Sequence, residues 1–336
     1  MISVLQSALE YRRGIVDPSD DQGVARLFAG TPDGLPGLII DKMGPVIWAR
    51  SMDSRLALDA QDMFHHMTAC LPEHRICFAF RKMSADHDRE VFEWMTAGSI
   101  DDVQASEDGL RYLISSRPAT HLAGDFGLYV DAHVGRRWIK DHAQGRRVLN
   151  LYSYTCGFGV CAAKGGAATV TNVDVSREVL TWGKNNAGLN GVDFAVVPED
   201  AMRYVERLRT RVTRGAALCP DLVVIDAPAF LFGRGSDRLL RHVLPRLLNL
   251  LFCFLPDNAK ILLSCNDRHL AFGGGQRVTE MLRHVSQESG RHIHVKALKQ
   301  TPDVLGQEPD QADPFYTPPL FWTVTFTGDQ RSVQRR

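Results

Sequence analysis

The chain predicts an α/β protein: a doubly wound parallel sheet ending in an antiparallel terminal hairpin, preceded by a small N-terminal α+β domain. Three observations carry this. From Arg146 onward, short apolar runs alternate with helical patterns, as in a parallel sheet covered on both faces. Near the C-terminus, "HIHVKALKQ" and "LFWTVTFT" are two strand-like runs joined only by the Pro- and Asp-rich segment 301–319. Ahead of Arg146, strand-like runs crowd between Gly/Pro turns.

The elements follow in order. Residues 1–22 form a leader with one short amphipathic stretch. The small domain is expected over 23–105. Its strands fall at 24–29, 37–41 and 45–51, separated by Pro-Asp-Gly, Leu-Pro-Gly and Met-Gly-Pro turns. A helix at about 55–70 and the strand "RICFAFRK" come next, and the polar stretch "FEWMTAGSIDDVQASEDG" is its exit. Residues 106–145 hold a hairpin and connector, with "LRYLISS" and "FGLYVDAH" extended. The large domain runs over 146–328. Strands are expected near 147–151, 169–174, 193–197, 221–226 and 259–264, and helices near 157–164, 177–189, 199–209, 236–254 and 274–288. The terminal hairpin gives a mixed sheet with one antiparallel edge.

Composition bounds the function. With 336 residues, 44% hydrophobic and 23% charged, the chain has room for two ordinary globular domains. The formal net charge is zero, which leaves nucleic acid open because clustering is what matters. Basic residues do cluster: Arg136, Arg137, Lys140, Arg146 and Arg147, then Arg203 to Arg214, then Arg234 to Arg246. Solvated helix faces are the plainer account of each cluster. The seven cysteines contain no Cys-x-x-Cys pair and fit a reducing compartment. No signal peptide is visible, and the greasiest run, "LLNLLFCFL", falls short of the ~20 residues a membrane span needs. A cytoplasmic protein off the membrane is expected. His65-His66, His74 and His292-x-His294 lack Cys or Glu partners at ligand spacing, so no metal is expected.

The candidate site begins in "VLNLYSYTCGFGVCAAKGGAATVTNVDVS", residues 148–176. A strand stops at a loop containing Gly157 and Gly159, which let backbone approach a ligand closely. A second strand ends in Asp174, placed to accept from ribose hydroxyls. Enzymes using NAD share these features. Three details point elsewhere: no clean Gly-x-Gly-x-x-Gly, a loop carrying Tyr152, Ser153, Tyr154 and Thr155, and Asp200 after the third strand, where it could accept from an adenine amino group. S-adenosylmethionine has the ribose and adenine but no pyrophosphate. The fourth strand ends in Asp226-Ala227-Pro228-Ala229-Phe230: an acid, a rigid turn and an aromatic suited to holding a flat base. The alternative is a strand-ending Pro228 and a core Phe230.

The stretch from Val148 to Val192 resembles the motif region of the class I S-adenosylmethionine-dependent methyltransferases that modify bases of 23S ribosomal RNA. The nearest branches are the large-subunit cytosine-C5 family and its guanine-N7 relatives. The matching positions are Leu149 to Leu151, Tyr154 to Phe158, Gly165 to Ala167, Val173 to Ser176 and Asn186 to Gly191. "DGLPGLIIDKMG" resembles that family's central α+β domain, and the likeness runs from about 23 to about 326. It implies a Rossmann-like methyltransferase fold with S-adenosylmethionine as cofactor. The cofactor residues implied are Tyr154, Thr155, Gly157, Phe158, Asp174, Val175, Asp200, Ala201 and Asp226. The catalytic set is Asp226, Pro228, Phe230 and Cys265. RNA would be guided by Arg136, Arg137, Lys140 and the small domain through phosphate contacts. The C5 branch's separate N-terminal RNA-binding domain is not expected, with about 22 residues ahead of the module.

The chain departs from the pattern at named places. Cys156 replaces the first glycine of Gly-Gly-Phe and reads as a small tolerated residue. The Asp-Pro-Pro-x-Phe motif has lost one proline. Asp131 is retained from an Asp-Gln-Arg motif, whereas Ala132 and His133 differ. Cytosine C5 needs a cysteine thiolate to add to C6 before methyl transfer, while guanine N7 is already nucleophilic. In "KILLSCNDRHL", Cys265 falls two positions before the C5 nucleophile and Asp267 takes its place; "SCNDR" is closer to the N7 pattern. Cys265 as nucleophile and Cys265 as a strand-end thiol both stand open. So do two other functions, a methyltransferase for a non-RNA acceptor and a binding protein without chemistry. The methylated atom and oligomeric state are not readable.

Overall fold

A computed structural model describes residues 2–13, 15, 22–83, 90–97, 103–114, 126–228, 240–267, 270, 275–311 and 318–327. The chain divides into two compact units, Met1–His133 with Gln300–Pro318, and Val134–Lys299 with Pro319–Arg336. This division runs differently from the expected boundary near 146, and the stretch 300–318 returns to the first unit.

The first unit opens with helix α1 (Ile2–Arg13), where a leader was expected. Leu5 and Ala8 are buried against Leu27, Phe28 and Ile40. Arg12 donates to both carboxylate oxygens of Asp33, at 2.8 and 2.6 Å, with both side chains buried. A five-stranded sheet follows in sequence order: β1 (Val24–Ala29), β2 (Leu38–Met43), β3 (Val46–Ser51), β4 (Arg75–Met83) and β5 (Glu90–Ala97). Only β3 and β4 are parallel, joined through helix α2 (Ala60–Cys70). The segment read as a polar exit holds β5 and then β6 (Val103–Glu107), which pairs with β7 (Leu110–Ile114). Their turn is Asp108-Gly109, with φ of 50° and 77°. Both positive values suit the two-residue turn that matches strand twist, so the partner of β7 lies upstream rather than at 126–133. That latter stretch instead forms a single 3-10 turn, Val130–Ala132, leading into helix α3 (His133–His142). The returning stretch is held by Asp303, which accepts from the Arg26 backbone, and by Gln307, which donates to Asp33.

The second unit is a seven-stranded sheet of β8 (Arg147–Leu151), β9 (Thr169–Asp174), β10 (Ala195–Pro198), β11 (Leu222–Ile225), β12 (Lys260–Cys265), β13 (Ile293–Leu298) and β14 (Leu320–Phe326). The spatial order is β10-β9-β8-β11-β12-β14-β13. The first five are parallel; β14 runs antiparallel to both neighbours. The antiparallel strand therefore lies one place in from the edge, where an edge position was expected. Burial explains it: Phe321, Trp322 and Val324 of β14 are buried, whereas β13 alternates between half-buried and exposed. Helices α4 (Gly157–Lys164) and α5 (Arg177–Leu189) pack together, as do α6 (Ala201–Thr213) with α7 (Leu240–Phe252) and α7 with α8 (Gln276–Ser289). Right-handed crossovers put the first pair and the other three on opposite faces. The run "LLNLLFCFL" supplies Leu247, Leu248, Leu251, Phe252 and Leu255 to the core under α7. Among the described residues no helix is long and apolar enough to cross a membrane. Strand order reverses between β8 and β11, which locates the ligand crevice at their carboxyl ends.

Candidate cofactor and active site

The parallel register brings the loops to one edge. Leu151 pairs with Val173 on one side and Ile225 on the other; Asp174 pairs with Pro198, and Ile225 with Leu263. The loop 152–156, the segment after Asp174, Glu199-Asp200, Asp226 to Pro228 and the segment after Cys265 all leave the sheet there.

The loop after β8 is strained and held. Tyr152, Tyr154 and Cys156 have φ of 57°, 48° and 62°. Left-handed backbone costs about 1–2 kcal/mol for a residue with a Cβ. Successive contacts hold it there. Ser153 N donates to Val173 O at 3.0 Å, and Cys156 N to Ser153 O at 2.8 Å. Tyr154 N donates to Asp174 Oδ2 at 2.9 Å. From α5, the buried Asn186 donates Nδ2 to Thr155 O at 3.1 Å. Gly183 lies directly beneath, where an added Cβ would strike the Cys156 sulfur. The result is a fixed turn into α4, whose first N–H groups have no partner within the helix.

A family model for S-adenosylmethionine-dependent methyltransferases matches residues 76–311. The chain belongs to that family. Among curated relatives, "Ribosomal RNA large subunit methyltransferase I" of Aeromonas salmonicida is 30% identical over 233 residues, covering 66% of this chain and 56% of the relative. The chain thus spans little more than half the length of that relative. Among solved structures, a Streptococcus mutans protein assigned as a SAM-dependent methyltransferase superposes with a TM-score of 0.77 at 19% identity, covering 96% of this chain and 80% of the other. The SMU.776 protein, assigned as a methyltransferase and complexed with SAH, gives 0.77 at 18% identity with the same coverage. These structural likenesses establish a Rossmann-like fold.

The edge fits the family's cofactor, S-adenosylmethionine. Asp174 accepts Tyr154 N on one oxygen and Ser176 N, at 3.0 Å, on the other. Each oxygen has a further lone pair, so two ribose hydroxyls have acceptors. Val175, next in line, is a large apolar side chain left 56% exposed. Asp200 is exposed and caps α6 by accepting from Arg203 N at 3.1 Å. Asp226 is half-buried at the end of β11, and Pro228 is exposed just beyond.

Several expected residues turn away. Phe158 is 5% exposed and packs near Phe321, ring centroids 6.4 Å apart, because α4 drives its apolar face into the sheet. Ala201 belongs to the core under α6. Gly159 is needed for helix–sheet approach rather than for ligand: a Cβ there would strike the buried Asn172 amide, itself bonded to Asn150 at 2.8 Å. Cys265 is fully buried in β12, and burial pushes its thiol up to about 12, the reverse of what a nucleophile needs. Arg136 is 3% exposed on α3 and so cannot meet a phosphate from there, whereas Arg137 is exposed. Phe230 lies outside the described residues. Asn186 and Gly183 were missed as site residues; Asn186 lies in the asparagine-rich "NNAGLNG" that the family pattern marks, whereas Gly183 precedes it and carried no local signal.

Proposed function

We propose that the chain transfers a methyl group from S-adenosylmethionine to a base of RNA, with large-subunit ribosomal RNA as the acceptor. Likeness to a ribosomal RNA methyltransferase supports the acceptor, and the clasped loop with Asp174 supports the cofactor. When bound, the cofactor supplies an electrophilic methyl group on sulfonium. The chain's own residues orient the reactants. Tyr154 and Gly157 line the loop, whereas the expected Thr155 is 1% exposed and packed away from it; Asp174 holds the ribose, and Asp200 stands toward the adenine. Asp226 and Pro228 shape the base pocket. Holding base and methyl group in line supplies most of the acceleration, since proximity and orientation alone carry large effective molarities. A buried, protonated Cys265 favours methylation of a base nitrogen, which needs no enzyme adduct.

The test is methyl transfer from radiolabelled S-adenosylmethionine to ribosomal RNA, with and without nuclease treatment. Nuclease-sensitive label is expected. Label on a small molecule instead would move the acceptor, and no transfer to any acceptor would leave a binding protein. For the chemistry, Cys265→Ser should keep most activity. A covalent adduct formed on 5-fluorocytosine RNA by the wild type and absent from Cys265→Ser would establish the C5 route.

A further inference from the structure

Two buried asparagines lie at one level of the second unit's sheet, just below the cofactor edge. Asn150 of β8 pairs in register with Asn172 of β9, and their outer neighbours at that level are Val224 of β11 and Val196 of β10. Both asparagines are fully buried. Parallel strands covered on both faces read as apolar runs, and these two positions break the run. Asn150 Nδ2 donates to Asn172 Oδ1 at 2.8 Å. Asn150 Oδ1 and Asn172 Nδ2 have no hydrogen-bond partner among the described residues. Turning both amides over leaves the same count, one acceptor and one donor unmet. Buried amide groups left unmet destabilise, and an apolar pair of similar shape would not, so stability does not account for the two. Gly159 of α4 stands so near that a Cβ on it would come within 2.3 Å of Asn172 Oδ1. It lies in the first turn of α4, two residues beyond Gly157. Strand β8 ends one residue after Asn150, and β9 ends two residues after Asn172, at Asp174.

We propose that Asn150 and Asn172 are positioning residues for S-adenosylmethionine. Their hydrogen bond fixes the end of β8 against the end of β9, and with it the strained loop against Asp174. The flat Asn172 amide is the floor on which the first turn of α4 rests, close enough that only a glycine fits above it. The loop and the helix turn are therefore set from below by a directional bond. A branched aliphatic pair would supply burial there but no direction. Neither asparagine reaches the cofactor, since both are fully buried. The proposal rests on S-adenosylmethionine binding at this edge and is independent of the acceptor.

The experiment uses the full chain, with S-adenosylhomocysteine as the calorimetric probe and urea melts on the same samples. Asn150→Val/Asn172→Val replaces the amide pair by an apolar one. Leu262→Ala, at the same level of the sheet in β12 and fully buried, is the control for core damage. The valine pair should melt at the wild-type urea midpoint or above it, yet bind the probe about 10-fold more weakly. Leu262→Ala should lower the midpoint and leave affinity unchanged. If the valine pair does not fold, Asn150→Ala/Asn172→Ala is read by the same two measurements, and its affinity should fall well below that of Leu262→Ala. Wild-type affinity in the asparagine variant, or a loss that Leu262→Ala matches, overturns the positioning role while leaving the cofactor site in place. A wild-type chain that does not bind the probe overturns the cofactor site and the positioning role together.

Discussion

Cys156 occupies a left-handed position, φ 62°, where a glycine would avoid the Cβ cost. It is fully buried, and burial pushes its thiol up to about 12. Packing, not chemistry, explains it: its sulfur fills the space that Gly183 leaves open. Gly183→Ala should therefore lower both the thermal midpoint and cofactor affinity, because the new methyl displaces the loop. Adding Cys156→Gly should restore much of both. A double variant as poor as Gly183→Ala alone would show that the two positions are not coupled. At Asp174, replacement by Ala removes the proposed ribose acceptors and the Tyr154 clasp together. Calorimetry should show about 10- to 100-fold weaker binding, from a charge-assisted bond of roughly 1.5–3 kcal/mol. Unchanged affinity would remove Asp174 from the site.

Helix α6 begins with an acid that has two assignable roles. Asp200 caps the helix through Arg203 N, and its side chain stands at the cofactor edge. Asn caps as well as Asp, while Ala does not, so the two substitutions separate the roles. Asp200→Ala should destabilise by about 1 kcal/mol in urea melts. Asp200→Asn should keep stability, and whatever cofactor affinity it loses reports the carboxylate alone. Equal stability of both variants would remove the cap. The α5 helix acts as a buttress. Asn186→Ala should weaken cofactor binding without touching any cofactor atom, since it frees the Thr155 carbonyl that holds the strained turn.

Across the molecule, Cys77, Cys156 and Cys265 are each pushed by burial from 9.0 to about 12. Their ionised forms are favoured only in the unfolded chain. Stability from this source is fully present below about pH 9 and declines as pH rises toward 12. The thermal midpoint should fall steadily over that window, and Cys156→Ala should shallow the fall in the second unit. A flat midpoint from pH 9 to 11 would mean the thiols are not sealed.

The alternation after Arg146 sufficed for the parallel sheet, because strand and helix periods are local properties of the chain. It placed α4 and α5 at their observed bounds and put Asp174, Asp200 and Asp226 at strand ends on one edge. Local pattern could not rank one strand against another. Tertiary burial put β14 inside β13, and the Asp108-Gly109 turn gave β7 its upstream partner. Side-chain direction was likewise invisible. Phe158, Ala201, Arg136 and Cys265 lie in or beside the right motifs, yet packing turns them into the core. The strained loop was legible only as a motif. Its φ values exist because Asp174, Asn186 and Gly183, distant in sequence, hold it from the side, and no local propensity carries that information.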